Sequence, residues 1–458
     1  MKRIVKWSAL ALSMLSFMTV SACGGTNKGG NDNELSLFVR SEVKEISTIN
    51  QMTKAFQAKK EAEGQEITIK IKTLSDSTYN KDMLNAIQSK ELPDVIYVAD
   101  EYLENWAMKG TFENLDPYFE QSNFDFSKYD EAAFEISRCV GKQNEKHLYM
   151  VPRTYDQPVI ALNVDMWREL LGEDRALPVA DDTWTWTKLM GIFAELRSAM
   201  NAKYGQGSST YIPMDVQLGW QAFYDPFVRS FGGYVYDAND ESVGINSSGS
   251  KAAVTKLKTM LDNKYIRAIS GGEFTSGKAT MYVISRPYIS SDWGEDYDIG
   301  NVAFLPIPIY DDAFTGLNGG TSYYAYGSVG FAINSGSKNK ELAYEYLEYT
   351  LSEEGQSIWS KSGLAVPTLL SMQQDENAEW KKSQAFLTGV DQSAFTFVDY
   401  KKDAYTRIPA TFARTGNVNK TYESAFYDEV TSVFTTLDQK SVDTFIGSAQ
   451  DQLSRFIG

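Results

Sequence analysis

The sequence predicts an α/β fold of two lobes, each built on a mainly parallel sheet flanked by helices. The chain has 458 residues, 43% of them hydrophobic and 13% aromatic, which is more apolar material than one core usually holds. From residue 34 onward, β-rich runs alternate with amphipathic helical runs. With only two cysteines, the chain must be stabilised by packed cores and not by a disulfide framework.

The alternation can be followed element by element in the first part of the chain. A short strand, ELSLFVR (Glu34–Arg40), precedes a helix predicted over Ile46–Ala62, where apolar residues recur at helical spacing. Next, ITIKIKTL alternates strictly and predicts a strand, and YNKDMLNAIQSKEL predicts a helix. The apolar run Val95–Ala99 is typical of a strand buried on both faces. This order of elements predicts a parallel, doubly wound sheet.

The N-terminus has the pattern of an export signal. Three basic residues precede an uncharged apolar run, Ser8–Val20, which is too short for the roughly 20 residues of a transmembrane helix. Val20-Ser21-Ala22-Cys23 resembles the bacterial lipobox, so we expect residues 1–22 to be removed and Cys23 to be lipidated. The glycine-rich residues 23–33 then form a flexible tether. An ordinary secreted protein with an incidental cysteine is the alternative.

Charge and composition exclude several classes of function. The formal charge is −16 and becomes −19 once the three basic residues of the signal are removed, so nucleic acid is not an expected partner. The single histidine, His147, argues against a transition-metal site and against catalysis by a histidine-activated nucleophile. If Cys23 carries a lipid, Cys139 has no disulfide partner. We therefore expect no metal and no cofactor.

Polar residues follow two of the predicted parallel strands. Arg40 and Glu42 close the first strand, and Asp100 and Glu101 close the third. Ligands bind beyond the carboxyl ends of such strands, which makes these four residues candidate ligand contacts. The same positions also favour helix N-caps and first-turn acids, so capping is the alternative.

Several short motifs, taken in order, resemble those of one protein family. HLYMVPRTYDQPVIALNVDMW, FTSGKATMYVISRPY and GSVGFAINSGSKNKELAYEYLEYTLSEEGQ follow one another between about Leu35 and Pro367. In this order, behind a lipobox, they resemble the extracellular solute-binding proteins of ABC transporters. The likeness is to the sugar-binding branch that includes maltose-binding protein.

The resemblance implies a type II periplasmic-binding-protein-like fold with the ligand cleft at the hinge. It assigns residues 34–153 plus 300–334 to the first lobe and residues 154–299 plus 335–458 to the second. It also implies a monomer that is not an enzyme and that captures an oligosaccharide as the lobes close. The expected partners are the carbohydrate, an ABC permease and the membrane, to which the lipid holds the protein on its extracellular face.

A sugar cleft is expected to combine aromatic rings with polar groups, and the resemblance points to further residues of both kinds. Tyr155 and Asp156 lie just beyond the hinge proline, Pro152. The candidate ligand contacts added to the four strand-end residues are Tyr155, Asp156, Trp220, Tyr224, Tyr288, Trp293, Asn318, Gly320, Tyr323 and Tyr324.

Three arginines near the expected cleft leave the charge of the ligand open. Arg40, Arg153 and Arg286 are suited to bidentate recognition of carboxylates, which would fit an acidic glycan such as an oligouronide. They could equally pair with neighbouring acids and orient them. The sequence also permits a surface glycan-degrading enzyme with two catalytic carboxylates, the same fold with a non-sugar solute, or an adhesion or signalling lipoprotein.

Overall fold

The computed structural model describes residues 33–75, 78–237, 242–293, 300–396, 405–409 and 426–457. The predicted signal and nearly all of the tether, including Cys23, lie outside the described residues. Within these ranges, no helix is long and apolar enough to cross a membrane.

The strands are β1 (Glu34–Arg40), β2 (Thr68–Leu74), β3 (Val95–Ala99), β4 (Arg138–Val140), β5 (Lys146–Leu148), β6 (Val151–Pro152), β7 (Thr154–Tyr155), β8 (Val159–Asn163), β9 (Ile212–Asp215), β10 (Tyr236–Asp237), β11 (Ser242–Val243), β12 (Ala279–Ile284), β13 (Val302–Pro306), β14 (Ser322–Tyr326), β15 (Val329–Ile333), β16 (Val366–Pro367) and β17 (Tyr405–Pro409).

The helices are α1 (Val43–Ala62), α2 (Tyr79–Ser89), α3 (Asp100–Met108), α4 (Asp116–Ser122), α5 (Glu131–Ile136), α6 (Val164–Leu171), α7 (Trp186–Tyr204), α8 (Gln221–Ser230), α9 (Ser248–Asp262), α10 (Arg286–Asp292), α11 (Asp312–Thr315), α12 (Lys340–Leu351), α13 (Glu353–Ser362), α14 (Leu370–Gln374), α15 (Glu379–Lys382), α16 (Phe426–Phe434) and α17 (Val442–Ile457).

The first lobe is built on a five-stranded sheet with the order β2-β1-β3-β15-β6. β1 runs parallel to β2 and to β3, whereas β15 runs antiparallel to both of its neighbours, β3 and β6. Four strands therefore share one direction and only β15 is reversed. In β3, Val95–Val98 are all buried, as their continuous apolar run predicts for a strand covered on both faces.

The second lobe is built on a four-stranded sheet with the order β13-β8-β12-β9, in which β8 is the reversed strand. Alternate residues of β8 enter two different cores, because successive side chains point to opposite faces of a sheet. Ile160 and Leu162 lie in one core, and Val159 and Ala161 lie in the other. Both faces of this sheet are therefore covered.

Two segments lie in the opposite lobe from the one that the sequence indicates. We expected residues 300–334 in the first lobe; β15 lies there, but β13 forms five residue pairs with β8 and so belongs to the second sheet. We expected residue 335 onward in the second lobe, but α12 and α13 pack on α1. Tyr346 and Trp359 lie in the first core, and the Phe56 and Tyr346 rings meet edge to face at 5.4 Å. Burial of these rings decides where both helices pack.

Most of the described residues beyond Pro367 pack on the second lobe, whereas Leu369 and Met372 join the core of the first lobe. Trp380 and Phe395 enter the core on one face of its sheet. Val430, Phe434 and Leu453, from α16 and α17, enter the core on the other face.

Three segments cross between the lobes and lie side by side. The first, residues 153–158, contains β7, which pairs with β16 in the third crossing. The second crossing ends at Gly327, which exchanges two backbone hydrogen bonds of 3.0 and 2.8 Å with Asp156. The Ser328 hydroxyl donates to the Thr154 carbonyl at 2.6 Å. These bonds make the crossings one narrow hinge.

Candidate functional site

The hinge joins the carboxyl edges of the two sheets. The first crossing leaves the first sheet at Pro152 and enters the second at Val159, which pairs with Ile284 and Pro306, the last residues of β12 and β13. The second crossing starts after Pro306 and ends at β15, whose first residue pairs with Ala99, the end of β3. Residues that follow β1, β3, β9 and β12 therefore line one interlobe region. Ligands of α/β sheets bind at such edges.

On the first lobe, Arg40 and Glu42 lie at the end of β1 as predicted. The Arg40 guanidinium donates to the Tyr97 hydroxyl at 3.1 Å and stands 5.5 Å from the ring centroid. Burial raises the pKa of Tyr97 to about 12, so its hydroxyl stays protonated. Glu42 caps α1, because its carboxylate accepts the Glu45 backbone N–H at 2.5 Å. Thus the capping alternative holds for Glu42.

Asp100 and Glu101 open α3 at the end of the neighbouring strand. Asp100 Oδ2 accepts the backbone N–H of Ser328 at 3.0 Å, which ties α3 to the second crossing. Asp100 is half-buried. The side chain of Glu101 lies outside the described part of the structure.

On the second lobe, the structure brings Trp220 and Tyr288 together. Trp220 precedes α8 in the loop after β9, and Tyr288 lies in the first turn of α10, directly after β12. Their rings meet edge to face, with centroids 6.1 Å apart and planes at 88°. Tyr288 is 47% exposed, one of the most exposed large hydrophobic side chains among the described residues. An apolar surface is therefore available at the cleft edge of this lobe.

Four predicted aromatic contacts are core residues instead, which corrects the prediction. Tyr155 is fully buried, and its hydroxyl donates to Gln157. Tyr224 stacks on Phe434 at 4.7 Å. The remaining two, Trp293 and Tyr324, are also buried: the indole lies between Phe274 and Phe304, and the Tyr324 hydroxyl donates to the Ile307 carbonyl at 3.0 Å. Burial of these large rings stabilises the second lobe.

The loop that precedes β14 lies away from the hinge, which corrects a second group of candidates. The Gly320 N–H donates to the Asp312 carboxylate at 3.3 Å, and Asn318 is exposed beside it. Tyr323 N–H donates to Ser230 at the far end of α8, about 15 Å of helix from the cleft end. Only the opposite end of β14 reaches the hinge.

Asp156 lies within the hinge itself. Its Oδ2 accepts the Thr154 hydroxyl at 2.9 Å, while its Oδ1 is buried without a hydrogen-bond partner among the described residues. Burial raises the pKa of this carboxyl to about 7, against the opposing effects of the Thr154 bond, Arg153 and Arg286. Asp156 is therefore a carboxyl that can change charge near neutral pH.

Two of the three arginines are engaged inside the protein. Arg153 Nη1 lies 2.6 Å from Glu45, and both side chains are about 7% exposed. Its guanidinium also stands 4.4 Å from the Trp359 ring centroid. Arg286 is fully buried and donates to the Trp380 carbonyl at 2.8 Å. Thus only Arg40 remains partly exposed at the end of a strand.

The aromatic and acidic partners that hold these arginines are not evident from the sequence. Tyr97 lies inside the apolar run of β3, and Glu45 lies in the first turn of α1. Glu45 and Arg153 are 108 positions apart in the chain, so no local motif joins them. Among the described residues, no group of three or more His, Cys, Asp or Glu side chains is placed to hold a metal ion.

Comparison with known proteins identifies the class that this architecture defines. Residues 41–357 match the model of the bacterial extracellular solute-binding protein family, which is more than half of the chain. The protein belongs to this family of solute-binding proteins.

Solved structures show the same fold across nearly the whole chain. An ABC substrate-binding protein from Listeria monocytogenes, in complex with cycloalternan, has a TM-score of 0.68 at 17% identity, covering 92% of this chain and 98% of that one. The cyclic α-maltosyl-1,6-maltose binding protein from Arthrobacter globiformis has a TM-score of 0.69 at 13% identity, covering 93% and 98%. UgpB from Mycobacterium tuberculosis, in complex with glycerophosphocholine, has a TM-score of 0.67 at 14% identity, covering 92% and 98%. At these identities the likeness establishes the fold.

Proposed function

We propose that this protein is a lipid-anchored, extracellular substrate-binding protein that captures an oligosaccharide and delivers it to an ABC importer permease. Cys23 carries the lipid, and residues 23–33 tether the binding domain to the outer face of the cell membrane. The protein acts as a monomer without a cofactor and without chemistry on the ligand. Family membership and the two-lobed fold support this proposal.

The observation that carries the choice of ligand is the pair Trp220 and Tyr288 at the cleft edge. A sugar ring presents an apolar C–H face and a hydroxylated rim, so it can stack on Tyr288 and bond to polar groups of the opposite lobe. Arg40 and Asp100 lie there at the ends of β1 and β3. Two of the solved relatives are a protein in complex with cycloalternan and a cyclic α-maltosyl-1,6-maltose binding protein.

The arginine contacts favour a neutral glycan over an acidic one. Arg153 is paired with Glu45, and Arg286 donates to backbone and hydroxyl groups of the second lobe. An anionic ligand would have to compete with these buried partners or rely on Arg40 alone. A strongly acidic chain also repels an oligouronide over longer distances.

The test is ligand binding by a soluble variant that begins at Asn33. Isothermal titration with a panel of neutral oligosaccharides, oligouronides and glycerophosphocholine identifies the ligand class. Tyr288→Ala is then compared with Tyr211→Ala, which removes a tyrosine next to β9 at the opposite edge of the same sheet. Loss of one stacked ring should cost about 2 kcal/mol, or about 30-fold in affinity, for Tyr288 only.

Three results would contradict the proposal in distinct ways. Equal effects of the two tyrosine variants would show that the aromatic pair is not part of the binding site. Tight binding of uronates alone would contradict the neutral ligand. New reducing ends after incubation with oligosaccharides would favour a glycan-degrading enzyme.

A further inference from the structure

The hinge contains a cluster of charged groups that the proposed function does not use: Arg153 and Arg286 are buried, and Asp156 is half-buried with its Oδ1 enclosed. Asp156 lies in the middle of the first crossing and is fixed there by its two backbone hydrogen bonds with Gly327 of the second crossing. The charges of two arginines, Arg153 and Arg286, both act on its carboxyl group. Each arginine is held by a different lobe.

Arg153 is anchored to the first lobe. Its Nη1 pairs with Glu45 on α1, and its guanidinium lies over the rings of Trp359 and Tyr97, at 4.4 and 5.6 Å from their centroids. Trp359 and Tyr97 belong to the core of that lobe. Arg153 Nε is buried and has no hydrogen-bond partner among the described residues. The buried Nε donor of Arg153 thus lies three positions from Asp156 in the chain.

Arg286 is anchored to the second lobe. It follows β12 at the carboxyl edge, and its Nη2 donates to the Trp380 carbonyl at 2.8 Å and to the Ser383 hydroxyl at 2.9 Å. Burial lowers the pKa of Arg286 to about 10, and the Asp156 carboxyl opposes this shift. The guanidinium therefore remains a cation at neutral pH and is stabilised further by a charged Asp156.

The neighbouring charged groups near the crossings already have partners. On α1, Glu45 is taken by Arg153. On α3, Asp100 accepts the N–H of Ser328. Because Glu45 and Asp100 are already bonded, Asp156 is the carboxyl on which the charges of both arginines act. Its Oδ1 is buried and accepts no hydrogen bond from the described residues. An unpaired buried acceptor favours any rearrangement that supplies one.

We propose that Asp156 is a proton-linked hinge residue: its carboxylate is the shared counter-charge of one arginine from each lobe, and its protonation weakens ligand capture. The proposal rests on the proposed function, because it names a control of the same cleft. When Asp156 is charged, it attracts Arg153 and Arg286 and favours lobe positions that bring a guanidinium N–H to Oδ1. When it is neutral, this attraction is lost.

The sign of the pH effect follows from linkage. A captured state that stabilises the carboxylate has a lower pKa for Asp156 than the ligand-free state, so capture releases a proton below about pH 7. If capture lowers this pKa by about one unit, affinity falls by about tenfold between pH 8 and pH 5.5. Affinity should be constant above about pH 8.

The experiment measures the dissociation constant of the oligosaccharide identified above from pH 5.5 to 8.5, for the Asn33–Gly458 protein and for Asp156→Asn. His147→Gln is the matched control, because it removes the only imidazole of the chain. We expect the affinity to fall as the pH is lowered in the unchanged protein and in His147→Gln, and to be independent of pH in Asp156→Asn. A slope that persists in Asp156→Asn, or that disappears in His147→Gln, would overturn the proposal.

Two further measurements keep the test decisive. Titration of the unchanged protein at pH 6.5 in two buffers of different ionisation enthalpy reports proton release without any variant, and equal heats would refute the linkage. Hydrogen exchange of the amides of residues 154–158 in ligand-free protein tests the hinge by itself. Protection factors are compared, because the intrinsic exchange of every amide is base-catalysed and rises with pH. If no glycan binds, the proposed function fails, and protection factors that change between pH 6 and 8 in the unchanged protein and not in Asp156→Asn would still show that Asp156 controls the hinge.

Discussion

The buried pair of Glu45 and Arg153 gives a quantitative test of how the first lobe is joined to the hinge. The two charges are 2.6 Å apart and about 7% exposed. Glu45→Ala removes the ion-pair partner that this buried guanidinium contacts directly, and breaking a buried pair typically costs about 3–5 kcal/mol. For a chain of this size, 1 kcal/mol corresponds to about 1 °C, so the melting temperature should fall by about 3–5 °C.

A double variant separates the lost pair from lost packing. Glu45→Met with Arg153→Met removes both charges and keeps an apolar chain over the Trp359 ring, so it should cost clearly less than the sum of the single variants. Lys70→Ala is the control, because Lys70 pairs with Glu34 at 2.6 Å on the surface and should cost less than about 1 kcal/mol. Thermal and urea unfolding measure all variants. Additive single costs, or a Glu45→Ala cost no larger than that of Lys70→Ala, would refute the reasoning.

Two further predictions concern Trp293 and Asp156. Trp293→Ala should lower stability by about 3–5 kcal/mol, because the indole lies between Phe274 and Phe304, while ligand affinity below the unfolding transition stays within about twofold. A large loss of affinity at unchanged stability would restore Trp293 as a ligand contact. The pKa of Asp156 is raised from its ordinary 3.8 to about 7, so the stability that its protonated form contributes should be lost as pH rises from about 4 to 7. Asp156→Asn should not show this loss in unfolding measured across that range, and a parallel decline in the variant would contradict the assigned pKa.

Local patterns were sufficient to predict the first strands and helices of the first lobe, β1 to β3 with α1 and α2, and the residues that follow the strand ends. The continuous apolar run of β3 identified a strand buried on both faces, and the strand ends placed Arg40 and Asp100 at the carboxyl edge. Trp220 and Tyr288 were both predicted, and the structure brings their rings together. Each of these predictions depends on residues close to one another in the chain or on the rule for strand ends.

Predictions that depended on distant partners were the ones that failed. Whether Trp293 or Tyr224 faces a cleft or a core depends on Phe304 and Phe434, which local spacing does not bring near. The lobe to which β13 belongs is decided by its pairing with β8, far back in the sequence. For Glu42, a helix-capping role and a ligand contact both favour a residue at this strand end. Only the hydrogen bond from the Glu45 N–H shows that Glu42 is a cap.

The central claim is that the cleft captures a neutral oligosaccharide and leaves it intact. The most direct measurement is thermal unfolding of the Asn33–Gly458 protein with neutral oligosaccharides, followed by analysis of the recovered glycan. At 100 times its dissociation constant, the correct ligand adds about 2.7 kcal/mol and should raise the melting temperature by about 3 °C while it is recovered unchanged. No shift with any neutral glycan, or recovery of a cleaved one, would contradict the account.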